Sequence, residues 1–141
     1  MNSLSIKKKY ILVLAEVFFP LLIGAFLYYV LYPEAYFVKF LDNMLGYHFF
    51  NLEVLREHFL FKLLRNYFMD FLWGCSLNAC ICLIIGYKKV DCIISATISI
   101  VFIVITESLQ LLDFFPGTFD KWDLFVEISG GLLILLINNI I

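Results

Sequence analysis

Four runs of mainly apolar residues divide the chain, from Tyr10 to Tyr32, Asn66 to Tyr87, Val90 to Leu112 and Trp122 to Ile141. About 20 such residues carry a helix across the hydrocarbon of a bilayer, so each run predicts a spanning helix. The first run follows Lys7, Lys8 and Lys9, a start it shares with secretory signals. It is roughly twice as long as a signal core, and Tyr32, Pro33, Glu34, Ala35 and Tyr36 form no small-x-small cleavage site, so it reads as a retained span with a kink point at Pro20.

The interval 33–65 has a different period. Phe37, Phe40, Leu41, Met44 and Leu45 recur at helical spacing, and Leu52, Leu55, Phe59 and Lys62 or Leu63 repeat it with charge on the opposite side. This segment predicts one or two helices lying in the membrane interface. Neither proline nor glycine separates Glu53 from Gly74, so the second helix is expected to run on into span two. His48 and His58 fall in this interval and read as packing residues.

Composition agrees with the pattern and narrows it. Of 141 residues 63% are hydrophobic and 16% charged, too little polar surface for a water-soluble domain. The expectation is therefore an all-α polytopic membrane bundle forming one domain, residues 1–141. A net charge of −2 without a basic stripe argues against nucleic acid as a partner. Cys75, Cys80, Cys82 and Cys92 show no metal-binding spacing and read as small apolar core residues. No cofactor or metal is expected.

Lys and Arg counts divide equally between the two sides of a four-span topology. Lys7–Lys9 and Lys88–Lys89 form compact clusters at span ends, whereas Lys39, Arg56, Lys62, Arg65 and Lys121 are dispersed among acids. Positive-inside bias then predicts a cell-membrane protein with both termini cytoplasmic.

The chemistry lies in the acids. Glu107 falls about 7 Å from the outer end of span three at 1.5 Å per residue, Asp120, Asp123 and Glu127 open span four, and Asp70 enters span two. Three spans thus bring carboxylates to one outer layer. At 100° per residue Asp120, Asp123, Glu127 and Gly130 occupy about 80° of arc, as do Ala96, Ser99, Ile103, Glu107 and Gln110; Asp70, Gly74 and Asn78 also share a face. Small residues below the acids allow close helix approach. The predicted arrangement is one outward-facing pocket with Asp70, Glu107, Gln110, Asp120, Asp123 and Glu127 as ligand-binding residues and Arg65 and Lys121 as charge partners. A purely structural role, with neutral Glu107 and Glu127 bonding helices together, stands beside it. Glu16, near the opposite side, reads as structural, bonded to Asn138 or Asn139.

Glu107, Gln110, Phe115, Pro116, Gly117, Thr118, Phe119, Asp120, Asp123 and Gly130 resemble the signature of the VanZ-like family, in which a span ending E-x-x-Q is followed by P-G-R-T-F-D and a span opening D-x-x-D-x-x-x-N-x-x-G. Arg65 to Leu77 resembles the acidic start of an earlier span in small members. Here the loop arginine is absent, Gly117 passing directly to Thr118, and Glu127 replaces the asparagine. Lys121 cannot reproduce a bidentate guanidinium contact. The resemblance implies a small bacterial envelope protein associated with glycopeptide (teicoplanin) resistance.

Several functions remain open. The first is a non-enzymatic protein binding a cationic, lipid-linked or amphiphilic envelope ligand. An intramembrane enzyme on an envelope lipid, with carboxylate or metal chemistry, is disfavoured by the lack of a nucleophile elbow, HExxH or phosphate loop. A cation channel or transporter would need a homo-oligomer or membrane partner, since four spans without internal repeats are few. A subunit of a membrane complex is the fourth.

Overall fold

The computed structural model describes residues 11–46, 59–111 and 119–140, and among these the chain is helical with no strand. The described residues form five helices: α1 (Val13–Leu31), α2 (Tyr36–Leu45), α3 (Phe59–Ile85), α4 (Lys89–Gln110) and α5 (Lys121–Ile140). All but α2 are long and apolar enough to cross a membrane, the architecture of a multi-pass membrane protein. These four match the four apolar runs. The described part of α3 starts seven residues before Asn66 and is unbroken through Gly74, as the lack of breakers there predicts. The Leu52 and Leu55 part of the interfacial pattern, with His48 and His58, lies outside the described residues.

The bundle is apolar outside and polar within. Phe18, Phe19, Leu22, Phe26, Val101, Ile105, Phe125 and Leu136 are exposed, whereas Asn78, Ser95 and Ser99 are completely buried. Such an inversion suits a hydrocarbon surround, where polar groups find partners only inside the protein. Helix α3 is central and packs against α1, α4 and α5, with α4 also against α5. A small core of Val17, Cys75, Ala79 and Ile134 joins α1, α3 and α5.

Two widened π segments interrupt the spanning helices. Val13–Phe18 in α1 precedes Pro20, which has no N–H to donate to the Glu16 carbonyl and whose ring crowds it, and the Phe19 N–H donates five residues back to the Leu14 carbonyl. The kink anticipated at Pro20 is thus a widened turn. Leu64–Phe68 in α3 immediately precedes Asp70.

Helix α2 carries the predicted amphipathic pattern. Val38 is buried on the bundle while Phe37, Phe40 and Met44 project outward. The Tyr29 hydroxyl of α1 donates to Asp42 at 2.6 Å and ties α2 down. Gly46 ends the helix at φ +78°, a left-handed cap that glycine adopts without steric cost. An exposed Lys39–Glu34 ion pair of 2.7 Å at its start adds little. At the other end of the bundle, Gly86 (φ +141°) turns the chain from α3 into α4, and the Lys88 N–H bonds to Asp91 Oδ2 at the helix start.

Candidate functional site: an acidic layer above a glycine seam

Helices α3 and α5 meet backbone to backbone. A Cβ built on Gly74 would overlap the Glu127 carbonyl and stand 3.0 Å from its Cα; one on Gly130 would stand 3.1 Å from the Cys75 nitrogen. The seam is sealed by Asn78 Nδ2 donating to the Gly131 carbonyl at 2.6 Å and Cys75 Sγ to that of Gly130 at 3.3 Å. Helices approach this closely only through small residues. The face of Asp70, Gly74 and Asn78 therefore does turn to the face of Glu127 and Gly130.

That seam fixes where the acids lie. With Gly74 against Glu127, Asp70 is one turn of α3 away from the contact and Asp123 one turn of α5 away, toward the same end. Helix α4 brings Glu107 to them from its C-terminal end. Asp70 interacts electrostatically with Asp123 and Glu107, Glu127 with Glu107, Asp70 and Asp123, and Glu107 with Asp123 and Asp120. Five carboxylates from three helices thus share one end of the bundle.

Their surroundings differ. Glu107 and Glu127 are each 6% exposed, whereas Asp70, Asp120 and Asp123 are half-buried. Gln110 donates to Glu107 Oε1 at 3.0 Å, linking the two ends of the E-x-x-Q spacing. Asp120 accepts from the Trp122 N–H at 2.9 Å, so part of its work is to cap α5. Glu107 Oε2 and Glu127 Oε2 are buried with no hydrogen-bond partner among the described residues. Lys121 is exposed and makes no ion pair to the acids among the described residues; the Arg65 side chain and the loop 112–118 lie outside them. No three His, Cys, Asp or Glu side chains among the described residues stand close enough together to hold a metal ion.

A cavity of about 750 Å³ opens beside this layer, between α1, α2 and α3. Its walls are apolar and include Gly24, Phe26, Phe37, Leu41 and Trp73, with Asp70 among the lining residues. Hydrophobic periodicity does not predict this cavity, because it forms from three segments whose side chains meet only after packing. One clue was available: Gly24 and Ala25 remove bulk from the middle of α1.

The four cysteines are free thiols, three of them buried, and Asn138 Nδ2 donates to Glu16 Oε2 at 3.4 Å. The bond pairs Glu16 with Asn138 as expected, and three of the four cysteines lie in the core while Cys80 is half-buried. No family model, curated protein or solved structure matches the chain.

Proposed function

We propose that this membrane protein binds a cationic amphiphile of the cell envelope, its positive head held by the acidic layer and its apolar chain by the neighbouring cavity. Asp70 carries this reading: it lines the cavity while interacting with Glu107 and Asp123. Asp120, Asp123, Glu127 and Gln110 complete the polar part of the site. A cavity of about 750 Å³ falls in the range of small-molecule sites, roughly 300–1,000 Å³. The two buried carboxylate oxygens without partners supply acceptors that a cationic head would satisfy. Among the described residues the acids have no metal-holding geometry, an arrangement that suits an organic ammonium or guanidinium better than a chelated ion.

In this reading the acidic end faces outward, both termini are cytoplasmic, and the ligand enters from the outer leaflet beside α2. The VanZ-like resemblance of Glu107, Gln110, Asp120, Asp123 and Gly130 fits an envelope role of this kind, with glycopeptide resistance its cellular expression.

The test uses protein in nanodiscs and a fluorescent alkyltrimethylammonium probe, with a chain-matched uncharged alkyl probe as control. D70N and D123N are expected to weaken the cationic probe about tenfold each, as losing one charge-assisted contact of about 1.5 kcal/mol requires. The uncharged probe should be unaffected. Equal affinity of wild type and variants for the cation would refute the proposal.

A further inference from the structure

Buried polar groups do not stop at the acidic layer. Below Glu107 and Glu127, Asn78 and Ser99 flank Gly131, each within 3.8 Å of the position its Cβ would take. Cys82 follows, its thiol 3.8 Å from Asn78 Oδ1 and within hydrogen-bonding reach of Ser95, Cys92 and Asn138. Asn138 bonds to Glu16, and Glu16 interacts with Tyr87 in the turn between α3 and α4. Burial raises the Tyr87 phenol above its ordinary pKa, and the neighbouring Glu16 adds to the shift.

The file is long. From Glu107 to Ser95 along α4 is about 18 Å, and from Glu127 to Asn138 along α5 about 16 Å, at 1.5 Å per residue. With Tyr87 beyond, it crosses most of the roughly 30 Å hydrocarbon. Seven buried polar atoms in the protein have no hydrogen-bond partner among the described residues: Glu107 Oε2, Glu127 Oε2, Ser99 Oγ, Ser76 Oγ, Asn138 Oδ1, Glu16 Oε1 and the Tyr87 hydroxyl. Six of them lie on this file. Polar atoms stranded in a bilayer cost several kcal/mol each unless water or another group reaches them. A helix cross-bonding role explains the bonded atoms, such as Asn78 Nδ2, but not a run of unbonded ones spread through the depth of the bundle.

One apolar side chain interrupts the file. Ile103 is completely buried on the same face of α4 as Ser99 and Glu107, one turn from each. One turn away on α4, Ser99 faces Gly131, and Ile103 is the apolar side chain on that face between Ser99 and Glu107.

We infer that the bundle interior is a proton path, running through bound water from Glu107 and Glu127 past Ile103 to Asn78 and Ser99, then by Cys82 and Asn138 to Glu16 and Tyr87. Protons enter on the carboxyls at one end and pass between waters that the hydroxyl and amide groups orient. They are taken up by the Glu16 carboxylate and leave past the Tyr87 hydroxyl. No electron moves and no covalent bond to carbon changes. Ile103 is the dry constriction that limits the rate.

The experiment places wild-type protein in phosphatidylcholine–phosphatidylglycerol vesicles enclosing a pH-sensitive dye, with a potassium diffusion potential set by valinomycin. Acidification is expected several-fold faster than in protein-free vesicles. E16Q, which keeps the side-chain shape and the acceptor for Asn138, should reduce the rate at least fivefold; I103A should raise it and I103F lower it. Resistance of Cys82 and Cys92 to maleimide before denaturation establishes folding of each variant. Folded wild type that conducts no faster than empty vesicles overturns the inference, as do E16Q and I103A rates equal to wild type. Because Glu16 lies at the end away from Asp70, E16Q should retain binding of the alkylammonium probe, so failure of the proton path and failure of the binding proposal are separately visible.

Discussion

Replacing Gly74 by alanine tests the seam that brings Asp70, Asp123 and Glu127 together. The added methyl would overlap the Glu127 carbonyl, with its carbon 2.8 Å away, where ordinary contact begins at 3.4 Å. These are backbone atoms, so no side-chain rotation relieves the clash and α3 and α5 must part by about an ångström or more. Overpacking of this kind costs about 1–3 kcal/mol. Parting the helices also stretches the Asn78–Gly131 and Cys75–Gly130 hydrogen bonds, worth about 0.6 kcal/mol each within a membrane. The expected destabilisation is roughly 2–4 kcal/mol, which lowers the unfolding midpoint in detergent on the order of 10 °C. A second readout is local: Cys75, 4% exposed, should react faster with a small membrane-permeant maleimide. Gly24 is the control, since its Cβ would meet only the tip of Leu72 at 4.0 Å and alanine is the better helix former. If G74A matches G24A in midpoint and leaves Cys75 protected, the close backbone seam is wrong, and with it the convergence of Asp70, Asp123 and Glu127.

Two further variants separate packing from charge. Asn78→Ala removes the 2.6 Å bond to the Gly131 carbonyl and should cost about 1 kcal/mol, seen as a lower midpoint. Glu127→Gln removes one of several mutually repelling carboxylates and gives its neighbours an amide donor, so the midpoint should hold or rise; a fall of several degrees would mean that Glu127 is a structural cross-bond instead of a ligand group.

Much of the architecture was legible because hydrophobic length and helical period are local properties. The four spans, the amphipathic turn of Tyr36–Leu45 and the inward faces of Asp70, Glu107 and Glu127 follow from positions along single helices. Glu16 and Asn138 could also be paired beforehand, since each is polar at matching depth in an apolar run. The cavity beside Asp70 could not, because its shape depends on how α2 folds back on α1 and on the Tyr29–Asp42 hydrogen bond. Nor could the division of labour among the acids. Asp120 and Glu107 look equivalent as letters, yet one caps a helix start and the other is buried with an oxygen unbonded.

The bond between Glu16 and Asn138 joins positions 122 residues apart, and that separation has a consequence for biogenesis. A chain inserted from its N-terminal side delivers α1 to the lipid, with a carboxyl group in it, long before the amide that will receive it has been synthesised. A charged residue costs about 2.5–3.5 kcal/mol at the centre of a membrane helix, and Glu16, near the start of α1, carries a smaller part of that cost. Until α5 arrives, the Glu16 carboxyl in α1 lacks the amide that receives it in the folded bundle. Completion of α5 supplies that amide, so a chain interrupted before Asn138 leaves a buried acid of α1 unaccompanied.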